Sequence, residues 1–228
     1  MWEVTMETGQ FDKNYRKRLE KLSTTNLSDA LDKMGSRGAV IGIRPLFGMP
    51  KVVGRAMTIK ITAAGMTKSK HHLGIEAIAL AQKGDVIVID NHGDTQNNCW
   101  GEILTCAAKT KGISGVIIDG AARDVDACEM MGFPVLARAV VPITARGRVM
   151  QEDFNCLIRL GDVQVRPGDI LVGDVNGVVV IPSEKIEEVL AEAEKIMEKE
   201  ENMKRDILSG LDILEVDKKY SYERMLDK

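Results

Sequence analysis

The sequence has no excess of positive charge. Its 228 residues include 31 Lys and Arg against 34 Asp and Glu, which gives a formal net charge of −3 at pH 7. Domains that bind nucleic acid normally carry a basic excess or a basic stripe. The short basic cluster at residues 16–18 is flanked by acidic residues, as on a solvated helix face. We therefore expect no nucleic-acid partner.

Long hydrophobic runs are absent too, although 44% of the residues are hydrophobic. A membrane-spanning helix needs about 20 consecutive apolar residues, and no segment approaches that length. The first ten residues lack the charged and apolar regions of a signal peptide. We therefore expect a cytoplasmic protein that does not associate with membranes and whose apolar residues form a core.

Cysteine is scarce and widely spaced. The cysteines form no C-x-x-C pair, so the sequence indicates neither a zinc site nor a disulfide framework. Buried free thiols are the expected state. The four cysteines are Cys99, Cys106, Cys128 and Cys156.

Nucleotide-binding and nucleophile motifs are also missing. No G-x-G-x-x-G follows a predicted strand, and no G-x-S-x-G is present. Residues 64–69, AGMTKS, resemble a phosphate-binding loop only faintly, because the first glycine of that motif is absent. His71 and His72 are adjacent, whereas two histidines that bind one metal usually stand four positions apart. We expect structural roles for both, and the role of His92, in a predicted loop, stays open.

A regular alternation of strand and helix patterns fills the first two thirds of the chain. Short, continuous apolar strands lie between helix patterns that end at glycine. Such strands favour parallel pairing under a cover of helices, which is an α/β fold. The predicted helices are 11–35, 71–82, 102–111 and 125–131, and the predicted strands are 52–62, 85–90, 115–119 and 134–140.

The pattern changes after residue 147. Short strand patterns separated by Gly-Asp and Pro-Gly turns predict hairpins and an antiparallel sheet. An amphipathic helix over 184–206 follows, with Ser183 as its expected N-cap. We expect a neighbouring subunit to order the polar tail after it. The predicted strands are 156–160, 163–166, 170–173 and 177–181.

Two predicted strands end in aspartate, at Asp90 and Asp119. Ligands of open α/β sheets gather at the carboxyl ends of the strands. We therefore predict that the loops 90–101 and 119–124 face one crevice.

These loops offer groups for binding an anion and a cation. The helix that begins after Gly101 presents free backbone N–H groups, and Arg123 supplies a planar fork for a carboxylate. Glu102 and Asp124 supply hard oxygen ligands or acid/base groups, as magnesium sites require. Structural roles are open alternatives: Asp124 could cap the following helix, Arg123 could pair with Asp119 or Asp126, and Glu102 favours a helix first turn in any case.

One segment carries a family resemblance. Residues 100–126, WGEILTCAAKTKGISGVIIDGAARDVD, resemble the RraA-like family, which includes 4-hydroxy-4-methyl-2-oxoglutarate aldolase. Enzymes of this family carry an acidic residue, twenty intervening residues and then Arg-Asp. Glu102, residues 103–122 and Arg123-Asp124 match that spacing. The resemblance extends to residues 27–35 (LSDALDKMG), 84–94 (GDVIVIDNHGD) and 166–182 (RPGDILVGDVNGVVVIP).

The resemblance implies a single RraA-like domain over 1–228, with an N-terminal helical segment and a C-terminal helix plus polar tail. Its fold would be a swivelling-domain arrangement of β/β/α layers with mixed parallel and antiparallel sheets. The assembly would be a homotrimer or homohexamer with active sites between subunits. A neighbour's C-terminal region would complete each site with an acidic residue, for which the candidates are Glu198, Glu200 and Glu201.

The resemblance also implies an activity. A small 2-oxo acid would undergo class II retro-aldol cleavage to pyruvate, and oxaloacetate would lose carbon dioxide through the same enolate. The alternative is a non-enzymatic regulator that binds a ribonuclease or another protein, as the family's namesake does. Glu102, Arg123 and Asp124 would be catalytic, Asp124 would ligate Mg²⁺ or Mn²⁺, and the substrate would contact Gly101, Glu102, Ile103, Leu104 and Arg123.

Overall fold

The computed structural model describes residues 11–221. They build one ten-stranded mixed sheet, a separate two-stranded hairpin and seven α-helices. The predicted α/β fold with parallel and antiparallel strands is confirmed. The expectation about a signal peptide falls on residues 1–10, which lie outside the described part of the chain.

The parallel half of the sheet confirms the predicted strand–helix alternation. Its neighbouring strands run parallel, with Thr58 opposite Val88 and Val88 opposite Ile117. One helix connects each of these strands to the next along the chain. The strands are β3 (Val52–Ala63), β4 (Val86–Asn98), β5 (Gly115–Ala122) and β6 (Val135–Ala137), and the helices are α3 (Ile75–Leu80), α4 (Glu102–Lys111) and α5 (Val125–Met130).

The antiparallel half joins the parallel half through β3. A hairpin of β11 (Ile170–Asp174) and β12 (Gly177–Ile181) pairs with the first residues of β3, with Gly54 opposite Leu171. β8 (Val149–Phe154), which the sequence did not predict, pairs antiparallel with the end of β3. The remaining strands are β1 (Ala39–Val40), β2 (Arg44–Pro45), β7 (Ala139–Val140), β9 (Ile158–Leu160) and β10 (Val163–Val165).

Helices cover one face of the sheet, and the other face packs on itself. α3, α4 and α5 cover the parallel strands. The antiparallel strands are covered by α1 (Lys13–Leu19), α2 (Thr24–Lys33) and α6 (Ile186–Leu208). On the opposite face, apolar side chains from both halves meet those of β9 and β10. The resulting layers agree with the β/β/α expectation.

The N-terminal helix pattern is interrupted. The predicted single helix over 11–35 is wrong, because a turn separates α1 from α2 at residues 20–23. Ser23 begins α2 by accepting a hydrogen bond from the Asn26 amide, and the Asn26 side chain accepts one from the Ser23 amide. This reciprocal cap fixes the start of a new helix where periodicity alone suggested continuity.

The C-terminal predictions need two corrections. Ser183 does not cap the last long helix, because a 3-10 turn over Ser183–Lys185 precedes α6. The tail does not depend wholly on a neighbour, because α7 (Ile213–Tyr220) packs against α6, with Val216 buried. The Tyr220 hydroxyl donates to Asp206 at 2.8 Å. Residues 222–228 lie outside the described part of the chain.

The four cysteines are free thiols, but they are not all buried. Cys99 and Cys128 are buried and Cys156 is half-buried, whereas Cys106 is exposed, so the expected burial is wrong for Cys106. Among residues 11–221, no helix combines the length and the apolar character needed to cross a membrane.

The α6 layer generates a stability prediction. Leu190 lies on the buried face of α6 and is 0% exposed, whereas Leu208, at the end of the same helix, is 88% exposed. Leu190→Ala should lower the free energy of unfolding by about 2–5 kcal/mol, because it leaves a cavity in the core. Leu208→Ala, the matched control, should change it by no more than about 0.5 kcal/mol. Urea unfolding followed by circular dichroism measures both, and equal losses would contradict the described packing of α6.

Candidate active site

A cavity of about 630 Å³ lies beside the N-terminus of α4. Parts of α3, α4 and β8 line it, together with residues 69–73 and 144–146. Every residue that the sequence singled out for substrate or metal binding lines this cavity. These residues are Gly101, Glu102, Ile103, Leu104, Arg123 and Asp124.

The ends of β4 and β5 bring the two motif segments together. Asn98 pairs with Ala121 in the parallel ladder. Beyond that pair, the Cys99 amide donates to the Ala121 carbonyl at 3.1 Å, and the Arg123 amide donates to the Trp100 carbonyl at 3.0 Å. Segments that are twenty residues apart in sequence are therefore hydrogen-bonded neighbours at the edge of the cavity.

The crevice does not include the aspartates that first suggested it. The predicted loop 90–101 is wrong in part, because β4 continues to Asn98 with two shifts in its register to β5. Asp119 is buried in an ion pair with Arg138. Asp90 and His92 line a separate cleft of about 510 Å³. Only the last residues of each predicted loop reach the cavity.

Asp90 and Asp119 have structural partners instead. The Asp119 carboxylate accepts a hydrogen bond from the Gly161 amide at 2.7 Å in addition to its ion pair. Asp90 accepts from the amides of His92 at 3.0 Å and Arg159 at 3.3 Å. These buried carboxylates hold the β9–β10 hairpin to β4 and β5.

Gly101 leaves the space that the side chains of Asp124 and Arg123 occupy. A Cβ atom at this position would lie 2.6 Å from Oδ2 of Asp124 and 3.3 Å from Cγ of Arg123. Such a separation is shorter than any carbon–oxygen van der Waals contact. Glycine is therefore required by space, since its φ of −161° is ordinary extended backbone.

The Asp124 carboxylate faces α4. Asp124 has φ +54°, a left-handed conformation that is uncommon for a residue with a side chain. It stands at the start of α5 but makes no side-chain hydrogen bond to that helix. Its Oδ2 instead accepts from the Glu102 amide at 3.2 Å. The alternative that Asp124 caps the helix following it is therefore wrong, because its carboxylate caps α4.

Arg123 is paired, but with neither of the partners considered from sequence. Its Nε lies 3.3 Å from Oδ2 of Asp124, and Asp119 is taken by Arg138. The side chains of Arg123 and Asp124 are 38% and 37% exposed. An ion pair this exposed contributes about 0–1 kcal/mol. A bound anion can therefore replace it at little cost.

The N-terminus of α4 offers further donors. The Thr105 amide is the first to donate within the helix, to the Gly101 carbonyl at 3.0 Å. The amides of Ile103 and Leu104 precede it and have no helical acceptor. Glu102 is exposed, as is Ile103. Donor groups and negatively charged groups thus lie side by side in the cavity.

A buried network that the sequence did not reveal supports this segment. The Trp100 ring nitrogen donates to Oγ1 of Thr105 at 2.8 Å, and Oγ1 lies 3.2 Å from Sγ of Cys128. Burial raises the pKa of the Cys128 thiol. Trp100 also stacks on Phe133, with ring centroids 6.3 Å apart. These contacts fix the backbone of Trp100, whose carbonyl accepts from Arg123.

The sequence also did not predict the cavity wall that β8 and residues 69–74 form. Gln151 on β8 accepts a hydrogen bond from the Gly74 amide at 2.8 Å. Ser69, from the segment that faintly resembled a phosphate loop, donates to the Gln151 carbonyl at 2.7 Å. His71 and His72 line the cavity, and Nδ1 of His71 lies 3.6 Å from the Glu76 carboxylate.

The part of the chain that contains the cavity residues is similar in sequence to a known protein family. The sequence profile of the RraA-like family, described as Aldolase/RraA, matches residues 24–180. A protein of Halalkalibacterium halodurans named "putative 4-hydroxy-4-methyl-2-oxoglutarate aldolase" is 38% identical over 82% of this chain and 85% of its own length. DlpA of Legionella pneumophila is 32% identical over 92% of this chain. This chain spans only about a third of DlpA, since the match covers 34% of the length of DlpA.

A solved structure shows the same fold. The crystal structure of Streptomyces coelicolor RraAS2, described as an unusual member of the RNase ES inhibitor RraA protein family, superposes with a TM-score of 0.78. It is 25% identical and covers 86% of this chain and 98% of its own.

The close contact at Gly101 can be tested directly. Gly101→Ala should push the Asp124 carboxylate away from the Glu102 amide and remove a helix cap worth about 1 kcal/mol. Hydrogen–deuterium exchange at the N-terminus of α4 should speed up accordingly. Gly65→Ala is the matched control, because nothing lies within 4 Å of its added Cβ. Unchanged exchange in Gly101→Ala would contradict the described contact.

Proposed function

The chain belongs to the RraA-like family, and from that premise we propose that it is a divalent-metal-dependent lyase. Its reaction is the retro-aldol cleavage of a 4-hydroxy-2-oxo acid to pyruvate, with decarboxylation of oxaloacetate as a second activity. The observation that carries the proposal is the meeting of the Asp124 carboxylate, the Arg123 guanidinium and the N-terminus of α4 in one cavity.

Substrate binding follows from the donors of this site. The free amides at the start of α4 favour a carboxylate, and the helix dipole adds to that preference. The terminal nitrogens of Arg123 make no hydrogen bond to any other group within residues 11–221, so they can bind a carboxylate or a 2-oxo group in the fork geometry. Gly101 lets the ligand approach the backbone closely.

The residues present fit a weakly chelated hard cation. Within residues 11–221, no three His, Cys, Asp or Glu side chains converge to form a metal cage. Magnesium commonly binds through one or two carboxylates, with water and substrate completing its shell. Asp124 can supply that carboxylate, since its Oδ1 has no partner among the described residues. Asp124 would thus hold Mg²⁺ or Mn²⁺.

The chemistry divides between the cation and the protein. When bound, the cation would act as a Lewis acid towards the negative charge that develops on the 2-oxo oxygen. Arg123 would hold the carboxylate end, so that the C3–C4 bond stays fixed in the cavity. Glu102 is exposed beside Asp124 and would order the water that takes the proton from the 4-hydroxyl. Breaking the C3–C4 bond leaves the pyruvate enolate, which is then protonated at C3.

A neighbouring subunit would complete the site. None of Glu198, Glu200 and Glu201 lines the cavity of its own chain. Glu200 accepts a hydrogen bond from Asn26 at 2.9 Å, whereas Glu198 and Glu201 are exposed. Glu198 and Glu201 are therefore the better candidates for reaching the site of an adjacent copy in a trimer or hexamer.

The activity is tested by pyruvate release. With Mg²⁺, the protein should release pyruvate from oxaloacetate and from 4-hydroxy-4-methyl-2-oxoglutarate, and EDTA should abolish both reactions. Asp124→Ala should lower kcat/KM by about 10²- to 10³-fold, as the loss of a charge-stabilising group does. Asp126→Ala, the adjacent carboxylate outside the cavity, is the control. Turnover that survives both EDTA and Asp124→Ala would rule out the metal mechanism, and no turnover of any 2-oxo acid would favour the regulator.

The role of the Arg123 fork in substrate binding can be tested separately from the positive charge of the side chain. Arg123→Lys keeps the positive charge but loses the fork, so kcat/KM should fall by roughly 10²-fold through misplacement of the substrate. Size-exclusion chromatography should show an unchanged oligomeric state. Loss of the assembly in this variant would instead assign Arg123 a structural role.

A further inference from the structure

Two polar atoms of cavity-lining residues are buried without a hydrogen-bond partner among residues 11–221. They are Nε2 of Gln151 and Oδ1 of Asn98. Gln151 is 1% exposed. Buried polar groups in folded proteins are almost always hydrogen-bonded, and an unpaired one costs about 1–3 kcal/mol. An unpaired donor in the wall of a ligand cavity therefore points to a ligand acceptor.

The orientation of the Gln151 amide is fixed. Its Oε1 accepts from the Gly74 amide at 2.8 Å, so the unpaired atom is the nitrogen and can only donate. The backbone is held as well, because Ser69 donates to the Gln151 carbonyl at 2.7 Å. A flipped amide would place two donors against each other at Gly74. Gln151, which lines the cavity, therefore holds an unpaired donor in a fixed orientation.

Within residues 11–221, Nε2 of Gln151 has no hydrogen-bond acceptor, and one carboxylate oxygen of Glu76, on α3, is likewise buried without a partner. Among the described residues, the carboxylates that line the cavity are Glu102 at the start of α4 and Asp124 at the start of α5. The wall of β8 and residues 69–74 contributes no carboxylate to the lining. A bound molecule can supply an acceptor for this donor.

We propose that Gln151 is a specificity-determining residue that donates a hydrogen bond to an oxygen on the half of the substrate that leaves when the C3–C4 bond breaks. The inference rests on the proposed function, because it assigns the pyruvyl half to Arg123 and the α4 N-terminus. Gln151 belongs to a different wall, which serves the other half. A ligand that has only the pyruvyl half makes no use of it.

The experiment compares a whole substrate with a half substrate. The whole substrate is 4-hydroxy-4-methyl-2-oxoglutarate, and the half substrate is pyruvate, whose C3 protons should exchange in D₂O with Mg²⁺ present. Gln151→Glu keeps the acceptor for Gly74 and removes the donor. It should raise KM for cleavage by about 10- to 100-fold, because a site built to hydrogen-bond an oxygen loses that contact. Pyruvate exchange should stay within about twofold of the wild type.

Controls separate this role from folding and charge. Gln96→Glu makes the same change at an exposed residue outside the cavity, and it should leave both reactions unchanged. Gln151→Met removes the donor without adding charge. It should reproduce the loss in cleavage if Gln151→Glu proves too unstable, as thermal melting would reveal.

The outcomes distinguish this inference from the proposed function. A wild type that performs neither reaction overturns both. A wild type that performs both, with Gln151→Glu and Gln151→Met cleaving as well as Gln96→Glu, overturns the inference alone. An equal loss of cleavage and pyruvate exchange also overturns it, because Gln151 would then support the whole site rather than one half of the substrate.

Discussion

The site depends on the hydrogen bond between the Arg123 amide and the Trp100 carbonyl. This bond continues the pairing of β4 and β5 beyond the last ladder residues and holds residues 100–102 against 123–124. The two segments can approach so closely only because Gly101 has no side chain. The Asp124 cap of α4 and the placement of Arg123 both follow from this approach.

The electrostatics of the site are arranged by the same contact. Asp124 adopts a left-handed conformation and turns its carboxylate towards α4, where one oxygen serves both the Glu102 amide and Arg123. A negative charge at the start of a helix is favourable in itself. The fold itself thus holds this carboxylate against the N-terminus of α4.

Sequence reasoning succeeded where a local pattern decides the structure. The apolar runs of β4 and β5 and the glycine after α4 predicted those elements, and the motif spacing placed Glu102, Arg123 and Asp124 in one cavity. Sequence reasoning failed where contacts with other segments determine the structure. β8 has a single buried position, which is Gln151, so it shows no apolar alternation. The polar end of β4 pairs with β5 only at Asp94 and Asn98, and side-chain hydrogen bonds such as that from the Gln96 backbone amide to Asp94 hold the residues between them.

The shared strand β3 has a consequence for how the chain is made. Its middle residues, 56–60, pair with the nearby β4, but its first residues pair with β11, with Gly54 opposite Leu171. During synthesis, that part of β3 leaves the ribosome long before its partner exists. The backbone groups that pair with β11 have no strand partner until the ribosome has passed Asp174. Such an edge invites pairing with other chains. The nascent chain is therefore most open to wrong pairing in the interval between the synthesis of β3 and that of β11.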